Sequence, residues 1–187
     1  MPIVVEKYKP EWREEFLKAK LFYESVLKGL DVQIEHVGST SVEGLWAKPI
    51  LDIDIIVKND DLSKSVIKRL EEKGYMHQGD LGISGREAFK YDKDNPNINF
   101  MTHHLYVCLE GTENLENHLA LRKHLRENPS AVKAYSDIKR KLAKAYPNDI
   151  DSYIDGKTDL IVSFLEAEGM KSDDLKRITD INKKPLD

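Results

Sequence analysis

From Trp12 to Leu30 the apolar residues Trp12, Phe16, Ala19, Tyr23, Val26 and Leu30 recur every three or four positions, the spacing of a helix that buries one stripe, and Gly29 lies near its end. Val32 to Val37 then alternates and is rich in β-branched residues, which predicts a strand. Ile50 to Val57 is apolar apart from Asp52 and Asp54 and reads as a buried strand. The loop between the two strands carries Gly38, Gly44 and Pro49. Asp60 and Asp61 offer N-caps for a helix reaching Lys73, with Leu62, Val66 and Leu70 inward and Gly74 as the residue after its end. Short strands are expected over 75–78, 87–91 and 100–109, separated by the Gly79-to-Gly85 turn region and by Asp94-Asn95-Pro96-Asn97.

After Gly111 the period becomes helical. Leu115, Leu119, Arg122 and Leu125 mark one helix, and Val132, Tyr135, Ile138 and Leu142 a second, with Pro129 between them. Tyr153, Ile154, Ile161 and Leu165 mark a third, from about Ile150 to Glu168. The polar stretch after Gly169 holds too few apolar residues to guarantee order. The expectation is an α+β unit over 1–169, a mixed sheet with flanking helices that becomes helical from about 112, followed by a polar tail over 170–187. A chain of 187 residues supports one sizeable core, not several.

Composition narrows the classes. The hydrophobic fraction is 40% and no apolar run approaches the roughly 20 residues that cross a bilayer, so no membrane partner is expected. A net charge of −4 with dispersed lysines gives no basic field for duplex nucleic acid. The N-terminal residues do not read as a secretion signal, and the lone Cys108 has no internal disulfide partner. Both favour a cytoplasmic protein. The oligomeric state is not legible.

The chemistry concentrates in one stretch. Strand alternation puts Asp52 and Asp54 on one face, roughly 6–7 Å apart, with Leu51, Ile53, Ile55 and Val57 on the other. Two anions in an apolar strand need compensation, and a divalent ion is one source of it; a strand whose aspartates face water or a lysine is the other reading. Upstream, Gly38 can bring backbone amides close to a phosphate while Ser39 adds a hydroxyl, or the pair is an ordinary turn.

Val37-Gly38-Ser39, a twelve-residue spacer and Asp52-Ile53-Asp54-Ile55 resemble the signature of the polymerase-beta-like nucleotidyltransferase superfamily. Ile34-Glu35-His36-Val37-Gly38-Ser39-Thr40-Ser41-Val42-Glu43-Gly44-Leu45 and Ala47-Lys48-Pro49-Ile50-Leu51-Asp52-Ile53-Asp54 resemble more closely its GrpB family. The likeness continues at His104-Leu105-Tyr106-Val107, Leu125 to Pro129, Tyr135 with Lys139, and Tyr153 with Lys157-Thr158. It implies a nucleotidyltransferase-like mixed sheet and a nucleotide or other phosphorylated small molecule as partner. In that superfamily the carboxylates hold divalent metals, Gly-Ser holds triphosphate, and an acceptor hydroxyl attacks the α-phosphorus. Mg²⁺ or Mn²⁺ is the implied cofactor. The superfamily's third carboxylate is missing from Thr102-His103-His104-Leu105-Tyr106, and a histidine there would also suit Zn²⁺.

His104 is accordingly a candidate ligand or general base, or a satisfied sheet histidine. His36 is a ligand, a proton carrier or a brace for the loop. Thr40 and Lys48 flank the phosphate candidates Gly38 and Ser39. Arg122 with Arg126, Tyr135 with Lys139, and Tyr153 with Lys157 each recur at four residues; such faces line an anionic pocket or are solvated. Arg86 is a similar candidate. A metal-dependent nucleotidyltransferase with an unknown small acceptor leads. A non-catalytic nucleotide-binding domain and a metal phosphohydrolase using His36, His104 and the aspartates are the alternatives.

Overall fold

A computed structural model describes residues 2–183; the expectations for Met1 and for 184–187 fall outside them. The chain runs through α1 (Glu11–Val26), β1 (Gln33–Val37), a 3-10 turn (Ser39–Ser41), β2 (Leu51–Val57), α2 (Asp60–Glu71), β3 (Tyr75–His77), β4 (Arg86–Tyr91) and β5 (His103–Leu109). It continues with α3 (Glu113–Glu127), α4 (Pro129–Ala145), α5 (Ile150–Ala167) and α6 (Ser172–Asn182). Among the described residues the strands form one mixed sheet in the order β1-β2-β5-β4-β3, in which the neighbours β2 and β5 pair in parallel and the other neighbouring pairs are antiparallel.

The alternation along β2 separates two environments. Leu51, Ile53 and Ile55 join Trp12, Phe16 and Tyr23 of α1 and Val66 and Leu70 of α2 in the main core. Tyr23, Tyr75 and His103 share a buried hydrogen-bonded cluster inside it, with Tyr23 and Tyr75 hydroxyls 2.6 Å apart. On the opposite face Ile56 and Cys108 pack against Leu115 of α3. A second core, including Leu125, Tyr135, Phe164 and Leu165, joins α3 to α6.

Three local expectations are corrected. The N-cap of α2 is Asn59, whose side chain accepts from Leu62 N at 2.9 Å, and Asp60 and Asp61 occupy the first turn. Extended backbone at Asn59 permits the cap, while the two acids still favour the positive end of the helix. Strand β5 begins at His103 rather than at Phe100, because Met101 N donates to the Glu15 carboxylate at 2.7 Å instead of entering the ladder. The stretch after Gly169 forms α6, since Leu175 and Ile178, one turn apart, bury themselves in the second core. Among the described residues no helix is long and apolar enough to cross a membrane.

Candidate functional site

The antiparallel register pairs Val37 with Asp52 and Glu35 with Asp54, so the end of β1 places its Gly38 turn against the first aspartate. Gly38 has φ +68°, and a Cβ there would overlap the Asp52 carboxylate; only glycine allows the loop to turn so closely over it. The parallel register sets His104 beside Asp52 and Tyr106 beside Asp54. These four side chains therefore share the face away from the main core.

Each aspartate has a histidine. His104 Nδ1 donates to Asp52 Oδ1 at 2.9 Å, and His118 Nδ1, from α3, donates to Asp54 Oδ2 at 2.7 Å. Tyr106 stands between the two imidazoles, its ring centroid 6.5 Å from that of His104 and 6.3 Å from that of His118. Asp54 is fully buried, and its Oδ1 has no hydrogen-bond partner among the described residues. Burial would raise the pKa of Asp52, but the His104 hydrogen bond and the proximity of His104, His118 and Lys157 outweigh it and hold the carboxyl below its ordinary value. For His118 burial acts downward, yet the Asp54 charge and hydrogen bond prevail and raise its pKa.

Two clefts meet at Ser39, Asp52 and Lys157. One, of about 210 Å³, is bordered by Gly38, Tyr106, His118 and Arg122; the other, of about 230 Å³, by Lys48, His104, Lys139 and Tyr153. The helical i, i+4 pairs are formed: Lys139 Nζ lies 4.4 Å from the Tyr135 ring centroid and Lys157 Nζ 5.2 Å from that of Tyr153. The Tyr135 hydroxyl also lies close to the Ser39 side chain. Lys139 is 2% exposed and its ammonium has no hydrogen-bond partner among the described residues. Burial lowers the pKa of Lys48, Lys139 and Lys157, and the neighbouring Lys157 charge lowers those of Lys48 and Lys139 further. Three partly desolvated ammonium groups beside one carboxylate face stand to gain from an added anion.

Three expected site residues are placed elsewhere. His36 pairs with Ile53, not with an aspartate, so it projects into the main core and cannot be a ligand beside Asp52 and Asp54. It stacks on Phe16 at 4.6 Å and donates from Nε2 to the Thr40 hydroxyl at 2.9 Å. That hydroxyl in turn donates to the Ile50 carbonyl at 3.3 Å, so the side chain of Thr40 is spent inside the loop and not on a phosphate. Arg126 donates to the Ser41 carbonyl at 2.8 Å from outside the loop and borders a cavity that does not contain Asp52. Arg122 does border the site, but its Nη1 is engaged by Glu35 and the His36 carbonyl, both at 2.7 Å.

A family model described as GrpB protein matches residues 2–167. The chain belongs to the GrpB family. It is 32% identical over 164 residues to the glutamate-rich protein GrpB of Alkalihalophilus pseudofirmus, covering 87% of this chain and 94% of that one. It is 33% identical over 154 residues to the UPF0157 protein YqkA of Bacillus subtilis, where the match takes in 82% of this chain and 43% of the relative's length. The crystal structure of the conserved protein GrpB from Enterococcus faecalis superposes with a TM-score of 0.75 at 33% identity, over 93% of this chain and 98% of that one.

Within this GrpB chain, sequence reasoning missed His118 and Glu35. His118 lies four residues before Arg122. Extending the Arg122–Arg126 face back one turn would have reached it. Glu35 alternates with Val37 on β1 and adds a third acid to the face, engaged by Arg122. The donor set fits a divalent ion only as an open site. Asp54 retains a buried oxygen without a partner, whereas no group of three or more His, Cys, Asp or Glu among the described residues forms a ready-made metal site. Two carboxylates plus substrate phosphate oxygens are a common surrounding for Mg²⁺.

Proposed function

We propose that this GrpB protein is a metal-dependent nucleotidyltransferase that binds a nucleoside triphosphate with Mg²⁺ or Mn²⁺ and transfers the nucleotidyl group to a small hydroxyl-bearing acceptor. The observation that carries the reading is the meeting of Asp52 with the buried, unpartnered side-chain nitrogen of Lys139 and with Lys157 around the Gly38-Ser39 turn, with Asp54 and its unpartnered oxygen two residues along the same strand face. A lone acid pair would suit many sites. A carboxylate facing buried lysines across a ligand-sized space, with a second acid beside it on the strand, suits a substrate that carries both a metal ion and phosphates.

In this reading Asp52 and Asp54 hold the ion, with His104 available beside them. Ser39, Lys48, Lys139 and Lys157 hold the triphosphate, and Tyr135 and Tyr153 back the lysines. The ion, when bound, would offset charge on the attacking and leaving oxygens. The acceptor oxygen bonds to the α-phosphorus as the α–β bridging bond breaks, and pyrophosphate departs with that electron pair. His104, donating to Asp52 through Nδ1, leaves Nε2 to take the hydroxyl proton.

The first test is nucleotide affinity. Lys139→Met and Lys157→Met should each weaken binding of a nucleoside triphosphate with Mn²⁺ by about tenfold or more, as measured by calorimetry, in keeping with loss of a charge-assisted contact. Unchanged affinity in both variants would remove the reading. A non-catalytic nucleotide-binding domain is favoured by a different observation, the His104 and Tyr106 side chains where the superfamily has a third acid. Tight binding without pyrophosphate release across a panel of alcohols would select it. The phosphohydrolase alternative has lost His36 from its constellation and is not retained.

A further inference from the structure

On the other side of His118, a separate concavity of about 460 Å³ opens between the 82–86 segment, the start of α3 and α6. It shares Asn117, His118 and Asn182 with the cleft over Asp52, so the two spaces adjoin at the histidine that holds Asp54. Arg86 borders it. On β4 this residue pairs with Cys108, which places it on the carboxylate-bearing face of the sheet, and its guanidinium carbon lies 4.6 Å from the Tyr106 ring centroid.

Arg86 is short of partners. Its Nε is buried without a hydrogen bond among the described residues, and its Nη2 reaches the Asp80 carbonyl only at 3.5 Å, the limit of a hydrogen bond. A buried guanidinium N–H without an acceptor is costly, and an arriving oxyanion offsets that cost with paired, charge-assisted bonds. The other arginine on the wall, Arg177, is already engaged by Glu113 and Asp174, so Arg86 carries the uncompensated charge. Helix α3 also begins at this concavity, where its N-cap residue Thr112 makes no side-chain cap and Glu113, in the first turn, is turned to Arg177. Those amides add a positive end to the site.

The geometry points to an acceptor subsite centred on Arg86, which binds the oxyanion end of a small hydroxyl-bearing molecule, a phosphate ester or a hydroxy acid. The hydroxyl end of that molecule extends past Tyr106 and His118 towards Asp52 and Asp54. The assignment rests on the nucleotidyltransferase reading and deepens it: the nucleotide enters on the lysine side, the acceptor on the arginine side.

The test uses the full chain saturated with a non-hydrolysable nucleoside triphosphate analogue and Mn²⁺, into which inorganic phosphate and, separately, acetate are titrated by calorimetry. At least one of the two anions should still bind, and Arg86→Met should weaken that binding by tenfold or more while leaving the analogue's affinity within twofold. Ile181→Glu provides a second variant that spares the buried residues. Ile181 is exposed on the rim of the concavity, and a carboxylate there should repel the anion by a similar factor. The tighter of phosphate and acetate names the acceptor's anionic group. Competition between anion and analogue, or anion binding that ignores both substitutions, would overturn the subsite while leaving the nucleotide reading standing. If the analogue itself fails to bind, the nucleotide reading falls, and anion titration without it still decides whether Arg86 holds an oxyanion.

Discussion

Asp52 and Asp54 are each met by a histidine from a different part of the chain, one from the next strand and one from a helix laid across the sheet. The Gly38 turn completes that arrangement and is the residue with the least freedom to change. Gly38→Ala would combine a left-handed backbone strain of about 1–3 kcal/mol with displacement of Asp52. It should lower stability by at least that amount in urea unfolding and abolish nucleotide binding. A variant that keeps wild-type stability and affinity would show that the turn does not press on the carboxylate.

His36 supplies a pH prediction. Burial depresses its pKa from 6.5 to about 4, so the folded state favours the neutral ring more than the unfolded chain does. Its contribution is therefore present above pH 6.5 and is lost as pH falls towards about 4. The full loss is on the order of 3 kcal/mol. His36→Gln should flatten the fall in unfolding free energy between those limits, and an unchanged slope would place the acid sensitivity elsewhere. At this scale the sequence was partly legible. The common face of Asp52 and Asp54 followed from strand alternation, which is local. The core-facing side of His36 followed from its alternation with Val32 and Ile34 as well; that this side lies away from the aspartates did not, because it depends on how β1 pairs with β2. Helical spacing put His118 on the Arg122 face, but its contact with Asp54, across 64 residues of sequence, depends on how α3 packs on the sheet.

At the scale of elements, the long periodic segments were legible and their ends were not. α1 and the three long helices followed the apolar stripe; the start of β5 depended on Glu15 capturing a distant amide, and the start of α2 on Asn59 taking extended backbone. The stretch after Gly169 looked too polar because its few apolar residues have value only against a partner surface already built by α3 to α5. Leu175→Ala should cost about 2–3 kcal/mol, as removal of a buried leucine side chain does. Hydrogen exchange in α6 should rise with it, while β2 and β5 keep their protection. Equal loss of protection throughout would mean that α6 unfolds only with the whole domain. The same substitution should loosen the Arg86 concavity, which Ile178, Ile181 and Asn182 of α6 help to line.

For the whole molecule, a chain of net charge −4 concentrates Lys48, Lys139 and Lys157 at one end of its sheet. The acidic remainder disfavours extended polyanions, and the enclosed cations favour a small one. This division was only half visible beforehand: the recurring Tyr–Lys pairs were written in the helices, but their convergence with Lys48 on Ser39 required the packing of α4 and α5. The proposed role joins the acids and the lysines through one ligand, so neither set should bind nucleotide well alone. The most direct measurement is the melting temperature with a nucleoside triphosphate and Mn²⁺, compared between wild type and the Asp52→Asn/Asp54→Asn double variant. At a hundredfold excess over Kd a ligand of the native state stabilises by about 2.7 kcal/mol, which for a domain of this size is a rise of roughly 5–10 °C. The account predicts that rise in wild type and its loss in the double variant; no rise in wild type with any nucleotide, or an equal rise in both proteins, would contradict it.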